Sequence, residues 1–363
     1  MINPDRLVNT FLDLVRIDSP SGQEAVIGRD LQVRLTALGL TTEIDEHGNV
    51  IGRLEGDGGR WLLLSAHMDT VGKDTGIHPV IRDGIISSDG TTILGGDDKS
   101  GVAAILETIA VIQEQHLPHP PLEVVITVGE EVGLLGAKLV DKSTLRAKQG
   151  IVMDAGGPIG HIVISAPGQD SLQITVHGVA AHAGSEPEKG INAIRVAAEA
   201  IAAMPLGRID FETTSNVGII EGGTARNIVP DIVKITGEAR SRDAKKLDKL
   251  TASIVDAFKQ ASVRHNTTVD IDVFRSYNTY RLSEKLPIVQ SVTAAARGLG
   301  HEVMLRSSGG GTDGNIYNAA GIACVVVSTG MADVHTTLEH IAIDDMVAGT
   351  NLLLETVKLL ASR

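Results

Sequence analysis

Apolar positions along this chain follow two rhythms. Near the amino terminus Leu7, Phe11, Leu14 and Val15 recur at helical spacing with charged residues between them, which predicts an amphipathic helix. From Trp61 to about Thr329, apolar runs of strand length alternate with helical patterns. The runs 61–65, 122–128, 151–153 and 323–328 are nearly continuous in apolar residues, as strands covered on both faces are. Helical stretches lie near 99–114 and 313–320, and a last one near 344–362. The alternation predicts an open α/β domain with a mixed, mostly parallel sheet, whose ligands gather at the carboxyl ends of the strands.

Between about Pro167 and Phe274 the rhythm changes. Residues 171–177 alternate like a half-exposed strand, 190–204 read as a helix, and 216–220 and 232–238 as strands. A long helix over 243–265 and a strand over 269–274 follow. That β-α-β-β-α-β order predicts a ferredoxin-like unit inserted into the first domain. The expected division is residues 1–166 and 276–363 for one domain and 167–275 for the other, and a length of 363 residues suits two domains.

Composition narrows the class of partner. Hydrophobic residues make up 42% but aromatics only 2%, so the core is built from aliphatic side chains. A formal net charge of -13 disfavours a nucleic-acid backbone or an anionic membrane as partner. The one cysteine, Cys324, allows no intrachain disulfide and no thiolate metal cage, and its apolar neighbours mark it as a buried structural thiol. No apolar run approaches the roughly 18 residues of a membrane span and no secretory leader is legible, so the cytoplasm is the expected location.

The chemistry sits where the strand patterns stop. After 61–65 come His67 and Asp69, two apart and therefore on one side of extended chain. A ligating imidazole needs an acceptor on its other ring nitrogen, and Asp69 is placed to supply one. Asp97 and Asp98 lie in a glycine-rich turn that opens a helix, where a carboxylate is favoured. Glu130 and Glu131 follow the next run, Asp154 the one after, and Asp333 and His335 the last. Taken singly, each has a commoner structural reading: a solvated histidine, a charged turn, a helix cap. Gathered on one rim, two imidazoles and several carboxylates without thiolates suit zinc, manganese or cobalt. A Gly-x-Ser-x-Gly elbow, a phosphate loop, a His-Glu-x-x-His helix and a dinucleotide fingerprint are all lacking.

The motifs His67-Met68-Asp69-Thr70, Gly96-Asp97-Asp98-Lys99-Ser100-Gly101, Glu130-Glu131 with the following Gly133-Leu134-Leu135-Gly136, and a late His335 resemble the dinuclear-zinc metallopeptidases. That family includes carnosinase, aminoacylases, glutamate carboxypeptidases, acetylornithine deacetylase and peptidase T. The resemblance spans essentially the whole chain. Residues 91–99 and Gly310-Gly311-Thr312-Asp313-Gly314 look most like the peptidase T branch of tripeptide aminopeptidases, although the chain is shorter than peptidase T itself.

The resemblance implies two divalent ions, zinc first and cobalt or manganese as alternatives. Asp97 would bridge them, with His67 and Asp154 on one ion and Glu131 and His335 on the other. Glu130 would be the general base acting on a metal-bridged water, and Asp69 the partner of His67. The Asp97–Asp98 peptide bond would be cis. The inserted unit resembles a lid and dimerisation domain, so a homodimer is expected. Its His182 would steady the oxyanion from its own or the partner's subunit, while Asn227, Arg240 and Gly310 would bind the substrate. The implied substrate is a short peptide, with two rival readings. One is a deacylase or carboxypeptidase acting on N-acyl or γ-glutamyl amino acids, and the other a non-catalytic metal-binding scaffold. The second would require a missing base or ligand, and none is missing.

Overall fold

The amphipathic start of the chain folds as helix Pro4–Val15 in a computed structural model that describes residues 1–361. Asn3 caps it, its side-chain oxygen accepting the Arg6 N–H at 3.2 Å, and Leu7, Phe11, Leu14 and Val15 are buried. By its contacts the chain divides into two units. One comprises Met1–Ile164, Arg281–Ser307 and Thr312–Arg363, and the other Ser165–Tyr280 with Ser308–Gly311.

The first unit is organised by a nine-stranded mixed sheet. Its centre is parallel: Leu122–Thr127, Leu62–His67, Gln149–Ala155 and Ala323–Ser328 lie side by side in that order. Both flanks are antiparallel, with Val50–Leu54 and Thr41–Ile44 on one side and His161–Ala166 on the other. The four apolar runs that predicted parallel pairing do pair in parallel. Alternate residues of one strand feed opposite faces. Leu62 and Leu64 join the larger core under helices Pro4–Val15, Gly96–Gln115 and Ile343–Ala361, and Leu63 joins a second core with Val125, Val152 and Cys324. Position 362, where the pattern ended the last helix, lies outside the described residues. Burial pushes the Cys324 thiol far above its ordinary pKa, as befits a structural cysteine.

Helix Gly96–Gln115 lies close against the strand Gln149–Ala155. A Cβ on Gly101 would stand 2.4 Å from the Met153 carbonyl oxygen, so only glycine permits this approach. Some elements were not anticipated: helices Ala25–Ala37 and Pro287–Gly298, and a three-stranded sheet of Pro79–Arg82, Ile85–Ser88 and His340–Ala342.

The second unit is a five-stranded antiparallel sheet. Its spatial order is Gly207–Asp210, Thr213–Gly222, Ile232–Ser241, Gly168–His177 and Val269–Tyr277. Helices Ala193–Ala203 and Ala244–Arg264 pack on one face around Leu172, Ile174, Val176, Ile254 and Phe258. The edge strand Gly207–Asp210 is an addition to the expected β-α-β-β-α-β order. Among the described residues no helix is long and apolar enough to cross a membrane.

Candidate metal centre

The four parallel strands deliver their carboxyl ends to one place, as open α/β sheets do. His67 is the last residue of Leu62–His67, and Asp154 lies at the end of Gln149–Ala155. Glu130 and Glu131 follow Leu122–Thr127, and His335 stands in the loop after Ala323–Ser328. Asp97 is the second residue of helix Gly96–Gln115, and its bond to Asp98 is cis.

Asp97 is the pivot. One carboxylate oxygen, Oδ1, lies 3.1 Å from His67 Nε2, and the other, Oδ2, lies 3.1 Å from His335 Nε2. Each imidazole faces a second carboxylate, with His67 Nε2 4.0 Å from Asp154 Oδ1 and His335 Nε2 3.0 Å from Glu131 Oε1. Ligand atoms of His67, Asp97 and Asp154 lie within 4.8 Å of one another, as do those of Asp97, Glu131 and His335 and those of His67, Glu130 and Glu131. His335 adopts φ +65°, a left-handed conformation that costs a non-glycine residue about 1–3 kcal/mol and is typical of functional loops.

Neighbouring residues hold this arrangement. His67 Nδ1 lies 3.0 Å from the Asp69 carbonyl oxygen and 3.4 Å from its carboxylate, so the backbone is the nearer acceptor. The Asp69 carboxylate has other work: it accepts the N–H groups of Glu130 at 3.0 Å and Glu131 at 3.3 Å and the Ser21 hydroxyl at 2.7 Å. Asp98 turns away from the centre. Its oxygens accept the His67 N–H at 3.3 Å and the Gly101 N–H at 3.2 Å.

Burial and like charge raise Glu130 well above the ordinary carboxylate range. Desolvation is the largest cause, opposed by His67 and reinforced by Asp154, Asp313 and Glu131. Asp97 moves the other way: burial works against its ionisation, but hydrogen bonds from His335 and His67 outweigh it and hold the carboxylate ionised. Two buried groups were not anticipated. The Asp313 carboxylate, taking the Thr127 hydroxyl, is pushed up to about 6 by burial. Lys99, whose ammonium donates to the Ile17 carbonyl at 2.8 Å, is pulled down to about 7 by burial.

The remaining candidates, His182, Asn227, Arg240 and Gly310, all belong to the second unit. His182 is exposed, and its Nδ1 accepts the N–H groups of Gly184 and Ser185, each at 3.1 Å. In the neutral ring this leaves the proton on Nε2. The Asn227 carbonyl accepts the Ala183 N–H at 2.9 Å, which ties that segment to the His182 loop. Arg240 is already engaged in a fork: Nε and Nη2 donate to the two carboxylate oxygens of Glu238, each at 2.9 Å. Nη1 is left over, and a Cβ on Gly310 would stand 3.7 Å from it.

The sequence matches peptidase family M20/M25/M40 over residues 63–359. The chain belongs to that family. A solved aminopeptidase PepT from Bacillus cereus ATCC 10987 is 40% identical with a TM-score of 0.91, and a tripeptidase from Staphylococcus aureus Mu50 is 38% identical with a TM-score of 0.96. In both structures the similarity covers 100% of either chain. An uncharacterized protein of Bacillus subtilis strain 168, YqjE, is 39% identical over 99% of both chains. Family M20 membership and peptidase T-like similarity over the full length make the protein a hydrolase of the metallopeptidase class.

The donor set of this M20 site fits divalent cations. It offers imidazole nitrogens and carboxylate oxygens, and the one thiol, Cys324, is buried in the sheet. Donor atoms about 2.0–2.2 Å from one tetrahedral ion stand roughly 3.3–3.6 Å apart, close to the 3.1 Å spacing on either side of Asp97. Glu131 Oε1 is buried and accepts no hydrogen bond although His335 Nε2 is 3.0 Å away, so its lone pairs face the imidazole nitrogen unpaired. A cation between them satisfies both.

Proposed function

We propose that the protein is an aminopeptidase that removes the first residue of short peptides, tripeptides foremost, with two divalent ions, zinc first, shared by Asp97. The observation that carries the reading is the Asp97 carboxylate, whose two oxygens each face a different imidazole at 3.1 Å. Each of those imidazoles faces a further carboxylate. Similarity to an aminopeptidase PepT and to a tripeptidase over the full length supports the choice of substrate.

His67 and Asp154 would hold one ion and Glu131 and His335 the other. Bound divalent ions supply polarisation of the scissile carbonyl and lower the pKa of water toward neutrality. Glu130 is the group that moves the proton. Its carboxylate, gathered with His67 and Glu131, is placed to take a proton from water and pass it to the leaving amine. Asp69 fixes the backbone from which Glu130 and Glu131 project. His182, neutral with its proton on Nε2, is suited to donate to the developing oxyanion. Arg240 Nη1 with Asn227 and Gly310 would hold the peptide, a planar guanidinium suiting its carboxylate.

The second unit would serve as lid and as the contact of a homodimer. Ile219 and Ile220 in the strand Thr213–Gly222 are 54% and 51% exposed, apolar positions suited to a partner. A cytoplasmic location is part of the same proposal.

The test is a substrate panel on zinc-loaded protein: tripeptides with free and acetylated amino termini, dipeptides, and N-acetyl amino acids. Free tripeptides should be cleaved with release of the first amino acid. Turnover of N-acetyl amino acids with tripeptides left intact would make the protein a deacylase instead.

A further inference from the structure

The turn that presents Asp97 is wrapped around a buried carboxylate from far along the chain. Glu339 is 1% exposed. Its Oε2 accepts the N–H groups of Leu94 and Gly95, each at 2.8 Å, and its Oε1 accepts the N–H of Asp97 at 2.9 Å. Two glycines let the backbone close on it. Gly95 has φ +74°, where glycine pays no steric penalty, and a Cβ on Gly96 would press to 3.1 Å from Glu339 Oε1.

Glu339 also belongs to the loop that carries His335. That loop is closed at its base by Ala332 and His340, whose backbones exchange hydrogen bonds of 2.9 and 3.1 Å. Within it the Glu339 N–H donates to the Thr336 carbonyl at 3.1 Å. One side chain therefore joins the turn holding Asp97 to the loop holding His335, two residues 238 apart in sequence. Burying a carboxylate is costly unless it is fully hydrogen-bonded, so a packing role alone would be served better by an apolar residue.

We propose that Glu339 is a positioning residue of the metal centre. It fixes the backbone at Asp97 and sets the spacing between the Asp97 carboxylate and the His335 imidazole, so that Asp97 can face two ions at once. This role rests on reading the centre as a two-ion site.

Glu339→Gln is the decisive variant. Glutamine keeps the length and one carbonyl oxygen for Leu94 and Gly95, but sets its NH2 against the Asp97 N–H, so two donors meet. Zinc affinity is read by competition with a chromophoric chelator, zinc content by elemental analysis, and the fold by thermal unfolding of ion-free protein. The expected result is an ion-free protein that still folds, with affinity for the weaker ion reduced about 10- to 100-fold. A folded E339Q protein that binds two zinc ions as tightly as the wild type overturns the role. If E339Q does not fold, Gly96→Ala decides, because its Cβ presses on the same oxygen. Weakened zinc binding there supports the role, and unchanged binding overturns it. Wild-type protein that takes up fewer than two zinc ions overturns the reading of the centre and this role with it, an outcome separate from a variant that behaves as wild type.

Discussion

Asp97 and Asp98 are adjacent acids in one turn with opposite duties. Asp97 faces the two imidazoles, while Asp98 points back to the His67 and Gly101 N–H groups and is buried. Charge alone does not distinguish them. The backbone does, by turning one side chain toward the rim and the next into the helix start. Glu130 and Glu131 divide in the same way: Glu131 faces His335 at 3.0 Å, and Glu130 has its pKa raised well above the carboxylate range, chiefly by burial. Glu130→Ala should lower kcat on a tripeptide by about 10²–10⁴-fold while zinc content stays at the wild-type level. Zinc lost in step with activity would make Glu130 a ligand rather than a base. For Arg240→Ala the expected change is a raised KM with the fold intact, and unchanged kinetics on short peptides would remove it from the substrate site. The residues that meet at the centre were legible because all but Asp97 stand where a strand pattern stops, and Asp97 stands in a glycine-rich turn that opens a helix. Ser21, Thr127 and Glu339 were not, since a hydrogen bond to a residue distant in sequence leaves no periodic trace. Asp313 lay inside a glycine-rich motif that the sequence did single out, but its burial was not visible there.

At the level of elements, the four central strands were read correctly, because a strand covered on both faces admits hardly any polar residue. Flanking strands were missed, among them His161–Ala166 and Val50–Leu54. Pro79–Arg82 and Ile85–Ser88 are four residues each and turn through Asp83 and Gly84, both at positive φ, an Asp-Gly turn that four exposed or half-buried positions did not suffice to flag. The two short strands matter because Ile85–Ser88 pairs with His340–Ala342, directly after Glu339. The closeness of helix Gly96–Gln115 to the sheet is likewise a property of elements. Gly101→Ala would drive a methyl group into the Met153 carbonyl and the Asp98 carboxylate, each 2.4 Å from the new Cβ. Overpacking of this kind costs about 1–3 kcal/mol. Urea unfolding should register that loss, and an unchanged midpoint would mean the helix can retreat from the strand without cost.

For the whole molecule, charge and assembly are the quantities to measure. The chain carries a formal net charge of -13, and Asp97, Glu130, Glu131 and Asp154 crowd its metal centre. Removing cations with a chelator should lower the thermal midpoint, since a ligand at 100 times its Kd contributes about 2.7 kcal/mol. Added zinc should restore it. A midpoint indifferent to chelation would mean that the folded protein does not hold the ions. The strand Thr213–Gly222 is paired on its outer side only through Thr213, Thr214 and Ser215, so its remainder is an open edge bearing exposed Ile219 and Ile220. If the proposed homodimer forms along this edge, Ile220→Lys should shift sedimentation from dimer toward monomer; a wild-type protein that sediments as a monomer would remove the dimer, and a dimer unaltered by the substitution would place the contact elsewhere.

The strand Ala323–Ser328 lies directly beside Gln149–Ala155, although the whole second unit is threaded between them in sequence. A ribosome must therefore translate past position 335 before the last imidazole can meet Asp97. On the two-ion reading, a polypeptide stopped short of residue 335 would lack one of the two imidazoles that face Asp97 and would leave peptides uncut.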